Sequence, residues 1–223
     1  MKKQWGLGLV LLLVCSQWAQ ADWTNIDPSS FAVQAAPTRG SAVDQQDFVT
    51  LYQEQASRSQ ADCDEATAES DPTFEAFFGT AAGIFTDAEY AQMSTLMSNT
   101  MTTADGVSGH FKDIYQRERP YKEDSGIQPC APKPGGYSYP SSHATMASTV
   151  ACVLASVFPA RQSQILARGK RIGDLRHIAG VHHPSDVVMG QALGQQICQS
   201  LLADSGYQSQ LKSAVASTVV PSP

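Results

Sequence analysis

Two segments in the C-terminal half are apolar on nearly every face. Residues 144–158 (ATMASTVACVLASVF) predict a central buried helix that stops at Pro159. Residues 184–202 repeat the pattern, with Gly190, Ala192 and Gly194 small enough to permit close helix contact. Upstream, residues 43–68 are rich in helix formers but mostly polar, which predicts an outer helix with a thin apolar stripe through Phe48, Leu51 and Tyr52. Asp71-Pro72 interrupts it, and residues 73–84 and 86–119 resume the helical pattern. Thr86 offers an N-cap, followed by an acidic first turn in Asp87 and Glu89. Residues 121–138 mix prolines, glycines and a cysteine and read as a loop, and residues 22–42 read as an extended arm. No alternating β-branched run suggests a sheet. The expected fold is all-α, a single-domain helical bundle with central buried helices.

The first 21 residues change the picture of where such a bundle resides. Lys2 and Lys3, an apolar stretch from Leu7 to Cys15 and the small-residue site Ala19-Gln20-Ala21 read as a signal peptide cleaved after Ala21. A periplasmic or secreted chain of residues 22–223 is the expectation, one phosphate-handling domain without stable membrane insertion, since a spanning helix needs about 20 apolar residues. Cleavage removes two lysines and no acid, leaving 13 basic against 21 acidic residues, a balance of −8. That argues against nucleic acid as a partner; homo-oligomer formation is left open. Four cysteines remain, an even number that in an exported chain favours disulfides. Cys152 and Cys198 lie in the two apolar segments and Cys63 and Cys130 in polar ones, which favours 152 with 198 and 63 with 130. Cys152 and Cys198 as small buried thiols are the alternative.

Candidate chemistry concentrates in three short blocks: Lys112–Pro120 (KDIYQRERP), Tyr139–Thr145 (YPSSHAT) and Arg176–Asp186 (RHIAGVHHPSD). Lys112 and Arg119 are seven residues apart, and seven steps of about 100° fall only about 20° short of two turns, so a continuous helix would project both from one face. A solvated basic face that also contains Arg117 and Lys122 is the alternative. Ser141 and Ser142 directly precede the apolar helix, where unpaired N–H groups form a natural anion site. Pro184 suits a first helical turn, placing His182 just before it and Asp186 within it. A carboxylate at that distance can hold one nitrogen of His182 in the N–H form and leave the other a lone pair for attack on phosphorus. Arg176 adds a planar fork of donors suited to phosphate oxygens. His177, His182 and His183 together could instead bind a metal, but the accompanying arginines and serines are not metal ligands. No cofactor is expected.

These blocks resemble the pattern of the type-2 phosphatidic acid phosphatase and vanadium haloperoxidase superfamily: Lys-x6-Arg-Pro, then Pro-Ser-Gly-His, then Ser-Arg-x5-His-x3-Asp. Lys112, Arg119 and Pro120 match the first, Pro140, Ser141 and His143 the second, and Arg176, His182 and Asp186 the third. Within that superfamily the chain is most similar to bacterial class A non-specific acid phosphatases, over residues 73–213. The resemblance implies a metal-independent acid phosphatase that hydrolyses small phosphomonoesters. It makes His182 the nucleophile, Asp186 its orienting partner and His143 the general acid, with Lys112, Arg119, Ser141, Ser142 and Arg176 holding the phosphoryl group. Two positions depart from the pattern: Ser142 replaces the usual glycine and Leu175 the usual serine. A vanadate-dependent haloperoxidase and a phosphate-binding protein without turnover are the rival functions.

Overall fold

Side-chain caps set most of the helix starts. The computed structural model describes residues 23–216, so the signal segment lies outside the described residues. Ser41 caps α1 (Ala42–Ser57), and Ser59 and Asp62 form a reciprocal capping box on α2 (Gln60–Ala68). Thr73 caps the short α3 (Phe74–Phe78), and Thr86 and Glu89 box the long α4 (Asp87–Tyr115). A single turn follows, α5 (Pro120–Glu123), before α6 (Ser142–Val157), α7 (Gln162–Ile178), α8 (Pro184–Ala203) and α9 (Ser205–Val215). Among the described residues there are helices and no strands, as the apolar pattern implied.

The apolar helix α6 is the hub. It packs against α8, α7 and α4, and Ala147, Val150, Val153 and Leu154 are fully buried. Each large aliphatic chain buried there contributes on the order of 1.5–3 kcal/mol. Gly190 and Gly194 let α8 lie directly on the α6 backbone: a Cβ on Gly190 would sit 2.5 Å from the Ser141 carbonyl oxygen, and one on Gly194 2.6 Å from that of Thr145. Ala192 faces solvent and has no part in this approach. Disulfides join Cys152 to Cys198, stapling α6 to α8, and Cys63 to Cys130, tying α2 to the loop after α5. The N-terminal arm runs outside the bundle, where Tyr115 and Tyr139 donate to its carbonyls at Val33 and Gln34.

Several expected boundaries move, each for a local reason. The helix expected over 43–68 is two helices, because Ser59 turns out of helical geometry to cap the second. Its inward face is also more polar than the stripe suggested: Asp44, Asp47 and Leu51 are buried, whereas Tyr52 is exposed and donates to Asp124. Residues 73–84 break after Phe78, with Gly83 in the left-handed region at φ +68°. The helix expected through Arg119 ends at Tyr115, with Gln116 at φ 47°. Lys112 and Arg119 therefore do not share a helix face. Arg119 is the extended residue before Pro120, as steric conflict with the proline ring requires.

Candidate active site

The breaks in regular structure gather the charged residues. Lys112 closes α4, Arg119 precedes α5, Ser141, Ser142 and His143 start α6, Arg176 lies in the last turn of α7, and His182 and Asp186 flank the start of α8. The backbone N–H of Ser141 donates to the Asp186 carbonyl at 3.0 Å, which joins the starts of α6 and α8. Ends of five helices thus converge although 74 positions separate Lys112 from Asp186.

His182 is buried, and its two ring nitrogens face opposite partners. Nε2 lies 3.0 Å from Arg119 Nη1. A guanidinium can only donate, so Nε2 is the acceptor and Nδ1 carries the proton. Nδ1–H points at Asp186 Oδ2 (3.3 Å) and at Ser138 Oγ (3.3 Å). Ser138 in turn donates to Asp186 Oδ2 at 2.5 Å, and the His183 N–H donates to the same oxygen at 2.9 Å. Burial lowers the proton affinity of His182 well below its ordinary value, Asp186 opposing and Arg119 and Lys112 reinforcing the shift. Asp186, fully buried, stays ionised well below the usual carboxylate range: burial opposes this, but His182, His183 and Arg117 outweigh it.

The cations are held with unequal slack. Lys112 Nζ donates to the carbonyls of Tyr137, Ser138 and Pro140, and burial together with Arg119 pulls it down to about 7. Arg119 donates to Gly135, Tyr137 and Val181 carbonyls besides His182. Arg176 is different: it is fully buried, Nη1 donates to the Ala66 carbonyl at 2.9 Å, and Nε and Nη2 have no hydrogen-bond partner. Burial lowers it to about 10 although Glu69 opposes the shift. Unpaired buried donors of this kind cost roughly 1–3 kcal/mol each until an acceptor arrives. His143 lies within reach of these charges. Its Nε2–H donates to the Glu69 carbonyl at 3.1 Å, and burial, then Arg176, pushes it down to about 3.

Ser141 is buried and its oxygen caps α6 by accepting from the Ala144 N–H, which leaves its own O–H as a donor. The Ser142 side chain turns toward α4 and pairs with Ser108 Oγ at 2.7 Å. Leu175 fills the satellite apolar cluster with Ala66, Ala131, Ala179 and Val181. His177 lies outside this centre, paired with Glu54, and His183 pairs with Glu123.

The blocks did not include Ser138, Asp44 or Asp47, and Arg117, though inside the first block, was given no role in the site. Arg117, which the alternative reading put on a solvated basic face, is buried and ion-paired with Asp44, Asp47 and Asp186. The signal was present: Asp44 and Asp47 share a helical face with Leu51, and an acid on an apolar face implies a buried cationic partner.

An all-α bundle whose helix ends collect three cations and two histidines of low proton affinity defines a class, and the sequence comparison agrees with it. The chain belongs to the PAP2 superfamily, whose model matches residues 94–208. It is similar to an acid phosphatase of Zymomonas mobilis subsp. mobilis, 28% identical over 148 residues, 61% of this chain and 54% of that one. It is also similar to a non-specific acid phosphatase of Providencia stuartii, 30% identical over 135 residues, 58% of this chain and 54% of that one. The matches thus span about half the length of these relatives. In structure it resembles a transmembrane PAP2-type phosphatidylglycerolphosphate phosphatase from Bacillus subtilis, with a TM-score of 0.56, 18% identity, and coverage of 77% of this chain and 89% of that one. That likeness concerns the fold. Among the described residues, no helix is long and apolar enough to cross a membrane.

Proposed function

We propose that the protein is an exported acid phosphatase that hydrolyses phosphomonoesters through a phosphohistidine on His182. The observation that carries this reading is the buried Arg176 fork, whose Nε and Nη2 lack partners beside two buried histidines. A phosphoryl group supplies the missing acceptors. The names of the relatives, acid phosphatase and non-specific acid phosphatase, support a phosphomonoester as substrate.

In this mechanism Arg119 shifts its donor from His182 Nε2 to a phosphate oxygen, freeing the lone pair for in-line attack on phosphorus. The P–O bond to the leaving group breaks as the Nε2–P bond forms, and Asp186 stabilises the positive charge that develops on the ring through Nδ1–H. Lys112, Arg119, Arg176, Ser141 and the Ser142 N–H hold the equatorial oxygens as their charge grows. His143 protonates the leaving alkoxide and then activates the water that releases phosphate. Its low proton affinity stems from burial and from Arg176, and a bound phosphate dianion would offset the arginine charges. Substrate binding therefore raises the affinity of His143 for the proton it must donate. Turnover should be fastest in mildly acidic solution.

Rapid quench with labelled p-nitrophenyl phosphate tests the roles. His182→Ala should abolish turnover and labelling; His143→Ala should still be phosphorylated by this good leaving group and should accumulate the adduct. Activity should persist in excess EDTA and be inhibited by vanadate. Label on His143, or complete loss of activity with EDTA and recovery with Zn²⁺ or Mg²⁺, refutes the mechanism. Vanadate-dependent halide oxidation by peroxide without phosphatase turnover would favour the haloperoxidase reading.

A further inference from the structure

Beyond the three blocks, the active-site histidine is connected to a helix that lies outside the family-matched segment. Asp44 and Asp47 project from α1, and residues 94–208 carry the match. Arg117 joins them to Asp186: Nη2 donates to Asp44 Oδ1 at 2.8 Å and Asp47 Oδ2 at 2.9 Å, while Nη1 donates to Ser185 Oγ at 2.7 Å and Asp186 Oδ1 at 2.8 Å. All four charged side chains are buried. Asp47 grips the same turn of α8 directly, accepting from the Ser185 N–H at 3.0 Å and from the Ser185 hydroxyl.

We propose that Asp44 and Asp47, acting through Arg117, are positioning residues that fix and charge the Asp186–His182 pair. This rests on the reading of His182 as the nucleophile. Two physical consequences of the geometry carry it. Arg117 pins Oδ1 of Asp186, so Oδ2 alone faces the Nδ1–H of His182 and the ring cannot turn without breaking a buried, charge-assisted bond. A lone guanidinium at 2.8 Å would also draw the charge of Asp186 away from His182. The two α1 carboxylates offset that pull, leaving Asp186 able to stabilise the imidazolium that forms as His182 attacks. Three carboxylates meet one guanidinium here, and the buried His183 ring lies within 4.8 Å of the Asp44 and Asp47 oxygens, so the cluster ties α1 to the start of α8 on the Asp186 side.

The test is single-turnover phosphorylation of His182 by p-nitrophenyl phosphate, with the inhibition constant of inorganic phosphate and the melting temperature measured alongside. The double variant Asp44→Asn/Asp47→Asn keeps both side-chain shapes and one acceptor oxygen each. It should slow phosphorylation by about tenfold or more while leaving the phosphate inhibition constant within about twofold, because Lys112, Arg119 and Arg176 are untouched. Arg117→Lys should fall between wild type and Arg117→Ala in phosphorylation rate, and it carries the test if the double variant does not fold. Glu54→Gln, which removes an ion pair with His177 from the same helix, should leave the rate unchanged. Variants that melt lower but phosphorylate at the wild-type rate overturn the inference and leave the nucleophile reading standing. A wild type that hydrolyses substrate with no trappable phosphohistidine overturns that reading itself.

Discussion

The approach of α8 to α6 sets the distance between His182 and His143, and Gly190 is where that distance can be changed by one methyl group. In Gly190→Ala the new Cβ would lie 2.5 Å from the Ser141 carbonyl oxygen, 3.0 Å from Ala144 Cβ and 3.2 Å from Thr145 Oγ1. Ordinary contact needs about 3.5 Å, so α8 must retreat by roughly 1 Å. The carbonyl cannot yield instead, since it already accepts from the Thr145 N–H and hydroxyl, both at 2.9 Å. Overpacking of this kind costs up to about 3 kcal/mol, and alanine's better helix propensity returns about 1. The net loss of about 2 kcal/mol should lower the melting temperature by about 4–8 °C in a protein of this size. Asp186 lies one turn before Gly190, so the retreat also moves the His182–Asp186 pair away from the start of α6. A misplacement of about 1 Å can cost on the order of 10²-fold in rate. Thermal melts and phosphomonoesterase kcat on the folded protein measure the two effects separately. Gly106→Ala on α4, where a Cβ meets nothing within 4 Å, is the control and should be neutral or stabilising by up to about 1 kcal/mol. A Gly190→Ala protein with wild-type melting temperature and kcat would refute the claim that this contact spaces the two helices.

Arg119→Ala and Arg176→Ala should each lower kcat/KM for p-nitrophenyl phosphate by about 10²- to 10³-fold without loss of fold by circular dichroism, and wild-type kinetics in either would remove that arginine from the site. His177 is opposed by burial but pushed up to about 9 by Asp174 and Glu54. Its folded value is above the unfolded one, so its contribution to stability is complete below about 6.5 and lost as pH rises through about 9. Urea unfolding across that window should show the decline in wild type and a flatter profile in Glu54→Gln; identical slopes would refute the assignment. Phosphate binding near neutral pH should take up protons, because Lys112 at about 7 and His143 at about 3 both rise when an anion offsets the neighbouring arginines. Calorimetry in buffers of different ionisation enthalpy measures the uptake, and buffer-independent heats would contradict it. Replacing Cys63 and Cys130 by serine opens a crosslink across 67 residues and should cost roughly 4 kcal/mol in the chain-entropy picture, read from the urea midpoint.

What was legible in the sequence was what depends on side-chain periodicity and local caps. The largely apolar helix expected over 144–158 and found over Ser142–Val157, and the Thr86 cap, follow from residue types alone. The eight candidate residues stand at helix ends; a proline or a serine cap announces those at Arg119, at Ser141, Ser142 and His143, and at His182 and Asp186, but not those at Lys112 and Arg176. What was not legible were the turns decided by distant partners. Nothing in KDIYQRERP says that the helix stops at Tyr115. It stops where Arg117 is drawn to acids some 70 positions away in each direction and the Ser138 N–H takes the Arg117 carbonyl. Ser138 was invisible for the same reason: a serine in a loop carries no mark until Asp186 lies against it.

The charge arrangement explains why such a centre can persist in a folded protein at all. Arg119 lies at the Nε2 edge of His182, and none of Lys112, Arg119 and Arg176 has an ion pair among the described residues. On the other side three carboxylates surround Arg117. Joining either set alone to the core would leave several uncompensated charges in low dielectric, a cost of several kcal/mol per ion. Brought together around one imidazole, with Arg119 at Nε2 and Asp186 at Nδ1, they partly offset each other, and the offset is incomplete: the backbone carbonyls that occupy Lys112 and Arg119 are neutral, so the positive charge is masked without being cancelled. In the proposed mechanism a doubly charged phosphate would satisfy both the unpaired donors of Arg176 and the residual field. The acids, held back on α1 and α8 behind His182, do not repel it at contact distance and still steady the ring that would attack it.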